Sequence, residues 1–334
     1  MIRSIIAASA AIIMLGATSV ASASEYYSGK TVTILVGAGP SGGTSMYGHL
    51  VKQFLGKHLP GNPKVIVKNK QGGGGIKMGN LLASGKINST DGTKIALFPG
   101  AFPLAASAIP TSSKMKYGPG DFVAVGALLN EATIVAVRAA SKVKTVYDLR
   151  NIGFRWGASG KGASPSLVPA FLNKTFGTNN KSVYGYRGSG TMIKAIAAGE
   201  TDGVVLAMST LKKKAKIVPL RYILAIGSPE LIPEGIPSVH SYIKDEKSKV
   251  LWDFFAKSNV FARTFVVHKS TPRDAQYHLT KAFWKMMRDP EFIKFTQSKK
   301  LPIGGGTVED ANKALKFYAN IDPELRSQLQ EMVK

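Results

Sequence analysis

The stretch VGAGPSGGT, Val36 to Thr44, follows an apolar run, TVTILV, and precedes SMYGHLVKQFLGKHL, whose apolar residues recur at helical spacing. A strand that ends in a glycine loop and opens a helix is the elementary unit of an α/β protein. Gly37, Gly39 and Gly42 also spell G-x-G-x-x-G, the spacing of a dinucleotide-binding turn. That reading demands an Asp or Glu at the end of the next strand to hold the ribose. The next strand, PKVIVKN, ends in Val67-Lys68-Asn69, and Pro40 stands inside the fingerprint. A P-loop fails as well, because no Lys follows Gly42-Gly43. The loop's own physics remains. The first N–H groups of a helix are unpaired and carry partial positive charge, and glycines let an anion approach closely. Ser41, Thr44 and Ser45 add hydroxyl donors. A carboxylate suits such a loop as well as a phosphate; a plain tight turn capped by Ser is the alternative.

Outward from this loop the α/β rhythm continues. GGGGIKMGNLLASG is a glycine turn into a helix, and TKIALFPG is a third strand. A looser region follows, then two apolar runs, FVAVGALL and ATIVAVRA. After TVYDLRN the rhythm restarts with strand GFRWGAS, helix SPSLVPAFLNKTFG, strand KSVYGYR, helix GTMIKAIAAG and strands TDGVVLAM and PLRYILAIG. NVFARTFVVHKSTP reads as a strand running into a helix. RDAQYHLTKAFWKMMRD and EDANKALKFYAN read as further helices. WGASGKGASPS in the second half echoes VGAGPSGGTS in the first. Two such halves facing each other put two helix N-termini on opposite walls of one cleft. Trp156, Tyr184 and Tyr186 fall at strand ends in the second half; core packing is their default, with one or two lining a ligand.

The chain has 334 residues, enough for two domains. Arg3, the apolar run Ile5 to Leu15 and Ala21-Ser22-Ala23 have the form of a cleaved export signal, which predicts a mature start near Ser24 and a periplasmic location. The formal charge is +24, or +23 once Arg3 is removed. Such a balance admits nucleic acid, an anionic membrane surface or an anionic small ligand as partner. Export argues against nucleic acid. The densest run, LKKKAKI, has no interleaved aromatics and reads as a solvated face. There is no cysteine, hence no disulfide and no thiolate chemistry.

Catalytic constellations are missing from the pattern. His49, His58, His240, His268 and His278 have no metal-ligand spacing. WGASGKG is not G-x-S-x-G, and acidic residues near the glycine loops are almost absent. The expectation is no enzyme, no metal and no cofactor. A periplasmic enzyme acting on carboxylated substrates is the competing reading, and a surface polyanion binder is a third.

Several ordered segments resemble one family over nearly the whole mature chain. KTVTILVGAGPSGGTSMYGHLVKQFLGKHL, VIVKNKQGGGGIKMGNLLAS, WGASGKGASPSLV, YGYRGSGTMIKAIAAGETDGVV, FVVHKSTP and LPIGGGTVED are similar to the solute-binding proteins of tripartite tricarboxylate transporters, also called Bug-type receptors. The resemblance implies a type II periplasmic-binding-protein fold, two α/β domains joined by two crossing strands with a ligand cleft between them. It implies residues 24–126 plus 251–334 as domain one and 127–250 as domain two. It implies a monomer that binds a di-/tricarboxylate or aromatic acid and delivers it to an integral-membrane permease of this transporter type. By position it assigns ligand contacts to Pro40, Ser41, Gly42, Gly43, Thr44 and Ser45, and to Ser159, Gly160, Gly162, Ala163 and Ser164. It adds Gly100 and Ala101, then Arg187, Gly188 and Ser189, and Asp202, which serves equally as a brace for its strand. The chain departs from the family at Ala38-Gly39-Pro40, where Phe-x-Pro is usual, and at Ser45, where Asp is usual. Loss of a ring and a charge predicts a wider pocket, friendlier to anions.

Overall fold

A computed structural model of the protein describes residues 25–85, 87, 90–110 and 112–333. The expected export signal lies outside them. Two five-stranded sheets organise the described residues. The first takes β1 (Thr31–Val36), β2 (Lys64–Asn69), β3 (Lys94–Leu97), β4 (Phe122–Ala127) and β10 (Thr264–His268), in the order β2-β1-β3-β10-β4. The second takes β5 (Thr133–Arg138), β6 (Arg155–Gly157), β7 (Lys181–Val183), β8 (Gly203–Ala207) and β9 (Leu220–Ile226), in the order β7-β6-β8-β5-β9. β1 pairs in parallel with β2 and β3, and β10 runs antiparallel to β3 and β4. The second sheet repeats the plan: β6 is parallel to β7 and β8, and β5 is antiparallel to β8 and β9. The echo between the two glycine loops is therefore an echo between whole sheets.

Local sequence explains the main elements. β1, TVTILV, is rich in β-branched residues and buries all but its first position. α1 (Gly43–Phe54) buries Tyr47, Leu50, Val51 and Phe54, the 3-4-7 spacing of a single helical face. α4 (Ser164–Phe176) starts with a proline in its first turn and ends at Gly177, whose φ of +63° is left-handed. α5 (Ser189–Ala197) and α6 (Met208–Lys214) follow in the second lobe, and α2 (Ile76–Ala83) in the first. α8 (Arg273–Met286), α9 (Pro290–Ser298) and α10 (Val308–Ala319) complete the covering of the first sheet.

The chain crosses from the first sheet to the second between Ala127 and Thr133 and returns just before Thr264. The return was expected near Leu251, but that residue lies inside α7 (Glu246–Lys257), as does the expected division between 250 and 251. α7 is wedged between lobes: Phe255 stacks on Phe102 of α3 (Phe102–Ala106) at 4.9 Å and on Phe171 of α4 at 4.5 Å. α11 (Pro323–Val333) packs on α4, so the C-terminal helix leans on the second lobe. One apolar cluster consequently runs through both lobes.

Candidate ligand site between the lobes

In open α/β sheets the strands' carboxyl ends mark the ligand crevice. Both sheets obey this rule toward each other. The loops after β1, β2, β3, β6, β7 and β8 line a cavity of about 320 Å³. The first lobe contributes Ala38, Gly42, Gly43, Thr44, Gln71, Gly100 and Ala101 to it; the second contributes Ser159, Ala163, Ser164, Arg187, Gly188 and Ser189. Eleven of the seventeen residues singled out from the sequence are thus brought together.

What converges there is mainly helix N-termini. α1 starts at Gly43 and α4 at Ser164; neither N-cap residue, Gly42 or Ala163, caps the first turn with a side chain, although Ser189 Oγ accepts from Gly43 N–H. Their exposed N–H groups carry the positive end of the helix dipole. Thr44 and Ser164 are 8% and 5% exposed, face the cavity, and their hydroxyls make no hydrogen bond within the described residues. Two hydroxyls facing one cavity from opposite lobes offer donors to a ligand placed between them. Arg187 adds a guanidinium at the rim that is exposed and without an ion pair among the described residues.

A third N-terminus is filled by the protein itself. α6 carries Ser209 in its first turn; Ser209 N–H and Oγ–H donate to the Glu131 carboxylate at 2.8 and 2.9 Å. Arg263 Nη2 lies 3.0 Å from Glu131 Oε1 and donates to the hydroxyls of Ser209 and Thr210 at 3.2 Å. The guanidinium stacks over the Tyr47 ring at 4.7 Å. Burial pushes the Tyr47 phenol up to about 12, against the opposing pull of Arg263, so it stays protonated and donates to Pro302 O. Glu131 sits on the outgoing crossover and Arg263 on the returning one, and both line the cavity. Neither residue of this pair belongs to a motif legible in the sequence. An acid in LLNEATIVAV and an arginine in NVFARTFVV, each inside an apolar run, were the only signals.

The lobes touch around the cavity through backbone. Gly39 N–H donates to Arg187 O at 3.0 Å, Gly162 N–H to Gly73 O at 3.2 Å, and Gly43 N–H to Ser189 Oγ at 3.2 Å. These approaches require glycine. A Cβ on Gly43 would lie 2.2 Å from Thr210 Oγ1, and one on Gly74, whose φ is +73°, would lie 2.4 Å from Ala163 N.

Six expected contacts lie outside the cavity lining, each for a visible reason. Pro40 and Ser41 are exposed, and Ser41 sits against Gly188 and Gly190 in the seam. Ser45 is fully buried behind the loop, where its hydroxyl accepts from Asn69 Nδ2 at 3.0 Å. Gly160 and Gly162 press on Gly73 and Gly74 across the seam. Asp202 precedes β8 at the strand's amino end, away from the cleft, and forks onto Arg155 Nε and Nη2 at 3.0 Å. Its brace role is the one the geometry displays. Of the aromatics, Tyr186 lines the cavity, Trp156 is buried against Phe154, and Tyr184 pairs with Ser166. Ala38 lines the cavity, whereas Ser45 does not.

The sequence profile described as "Tripartite tricarboxylate transporter family receptor" matches residues 51–318. A UPF0065 protein encoded in the TAR-I ttuE-ttuC' intergenic region of Agrobacterium vitis is 25% identical over 313 residues, 91% of this chain and 85% of that one. Among solved structures, MatC from Rhodopseudomonas palustris with bound malate superimposes with a TM-score of 0.67 at 16% identity, covering 91% of this chain and 99% of MatC. Rpa4515 of R. palustris, solved with adipate, gives 0.65 at 18%, covering 90% and 97%. These likenesses establish the fold: two α/β lobes of the type II periplasmic-binding-protein kind.

Proposed function

This chain belongs to the family of tripartite tricarboxylate transporter receptors, and on that premise we propose that it captures an organic carboxylate in the periplasm and delivers it to a membrane permease. One observation carries the choice of ligand. The N-termini of α1 and α4 face one cavity from opposite lobes without a capping side chain from their own N-cap residues, and the hydroxyls of Thr44 and Ser164 stand beside them with no hydrogen-bond partner among the described residues. An anion placed there draws the lobes together, since each lobe supplies half of its donors. The relatives solved with malate and adipate support a carboxylate as that anion. The cavity of about 320 Å³ is of ligand size, and its mixed lining accepts an acid with a short chain or ring.

A thermal-shift screen of mono-, di- and tricarboxylates and aromatic acids tests this reading, since a ligand bound only by the folded state raises the melting temperature. Small-angle scattering on the best acid should show a more compact particle with ligand. No stabilising acid in the panel would sink the proposal. The high positive charge should steer capture: association rates fall with added salt while dissociation rates stay nearly flat.

A further inference from the structure

α8 covers the first sheet with Ala275, Leu279, Ala282, Phe283 and Met286. Its opposite face carries Tyr277 and Trp284, 59% and 57% exposed, more than any other large apolar side chain described. Their spacing of seven places them on one stripe, with Lys281 between and Arg288 just beyond. Lys281 Nζ lies 5.3 Å from the Tyr277 ring centre and donates to its hydroxyl at 3.2 Å. The Arg288 guanidinium stacks on Trp284 at 4.1 Å and donates to its carbonyl. Lys285 and Arg273 are exposed on the same helix, against a single acid, Asp274. Asp289 and Glu291, the next acids along the chain, are engaged by Lys57.

We infer that this α8 stripe is a docking face for a lipid bilayer bearing anionic headgroups. Amphipathic rings interleaved with long cations match the chemistry of a membrane–water interface, where Trp and Tyr settle at headgroup depth and Lys and Arg reach phosphates. The chain's formal charge of +24 supplies attraction to a negative surface. None of its residues lines the cavity, which leaves the ligand site free while docked. The inference goes beyond the receptor reading and does not depend on it.

The tryptophans provide the test. Trp156 and Trp252 are fully buried, so an environment-dependent change in emission on docking reports Trp284. The whole protein is titrated with vesicles of phosphatidylglycerol and phosphatidylcholine, and with pure phosphatidylcholine vesicles, reading co-sedimentation and emission. Expected are binding to the anionic vesicles alone and a blue shift of emission on binding. Lys281→Gln with Arg288→Gln should weaken partitioning about twenty-five-fold, from about fivefold for each cation. Tyr277→Ser with Trp284→Ser should weaken it at least tenfold at unchanged melting temperature. Absence of binding, binding without an emission shift, or variants that bind like the parent overturns the inference.

Discussion

The N-termini of α6 and α4 both face the central cavity from the second lobe, yet one is filled and the other open. At α6 the chain places its own carboxylate, Glu131, on the Ser209 N–H and hydroxyl and balances it with Arg263. At α4 no side chain occupies the first turn, at α1 opposite only Ser189 Oγ accepts from Gly43 N–H, and the hydroxyls of Ser164 and Thr44 have no partner among the described residues. The same dipole physics operates at each end. The difference is that the α6 end meets the two crossovers, where a permanent anion, Glu131, and its partner Arg263 tie them together. α1 and α4 belong to the jaws, where a permanent anion would block the ligand. The protein thus contains a worked example of how its open ends would hold an acid.

The contrast predicts that emptying the filled end damages the fold, whereas trimming the open ends damages only binding. Arg263→Ala strands a buried carboxylate and should lower unfolding free energy by about 3–5 kcal/mol in urea titrations. A loss under about 1 kcal/mol would show that the pair is well solvated and the contrast mistaken. Ser164→Ala should leave that titration unchanged and reduce calorimetric affinity for the best acid by the worth of one hydrogen bond to a charged group, about 1.5–3 kcal/mol.

The seam offers a subtler break. Gly43→Ala puts a methyl 2.2 Å from Thr210 Oγ1 of the other lobe, a contact that the proposed opening of the lobes would relieve. Overpacking confined to the closed state, about 1–3 kcal/mol, should weaken affinity roughly tenfold to a hundredfold and leave the ligand-free melting temperature in place. Gly160→Ala should behave alike, since its Cβ would meet Gly74 N at 2.5 Å. Gly42→Ala should be mild, because the nearest atom to its Cβ is Gly39 O at 3.2 Å. Equal losses at Gly42 and Gly43 would argue against backbone closure as the cause.

The smallest effect lies far from the cavity. Hydrogen bonding from Lys57, aided by Glu291 N–H and His58 and opposed by desolvation, holds the Asp289 carboxyl down at about 2. A depressed carboxylate contributes stability above its unfolded value near 4 and loses it as pH falls toward 2. Asp289→Asn should therefore be slightly less stable than the parent at pH 6, with the gap closing between about pH 4 and pH 2. A gap that persists unchanged at pH 2 would assign it to packing instead.

Much of the fold was readable because its signals are local. Both strand–glycine loop–helix units, the restart after TVYDLRN and the strands on either side carry their own periodicity and turn chemistry. Five helices escaped the pattern. α6 is seven residues long, and its second half is the lysine run that reads as a solvated face. α3 is five residues long and wholly buried, too short to display a period. α7 packs Leu251, Trp252, Phe254 and Phe255 against both lobes, which blurs a one-faced stripe. α9 and α11 are short, and charged residues dominate their outer faces.

By itself the sequence determined the α/β class, the doubled plan and the loops that carry donors, since backbone preference and amphipathic spacing act over a few residues. Only the tertiary structure decided which of those donors converge. It placed Thr44 opposite Ser164, turned Ser45 and Asp202 away, and joined Glu131 to Arg263 across 132 positions of chain. Such pairings depend on the rigid-body placement of two sheets, a property of long-range packing for which no single segment carries a signal.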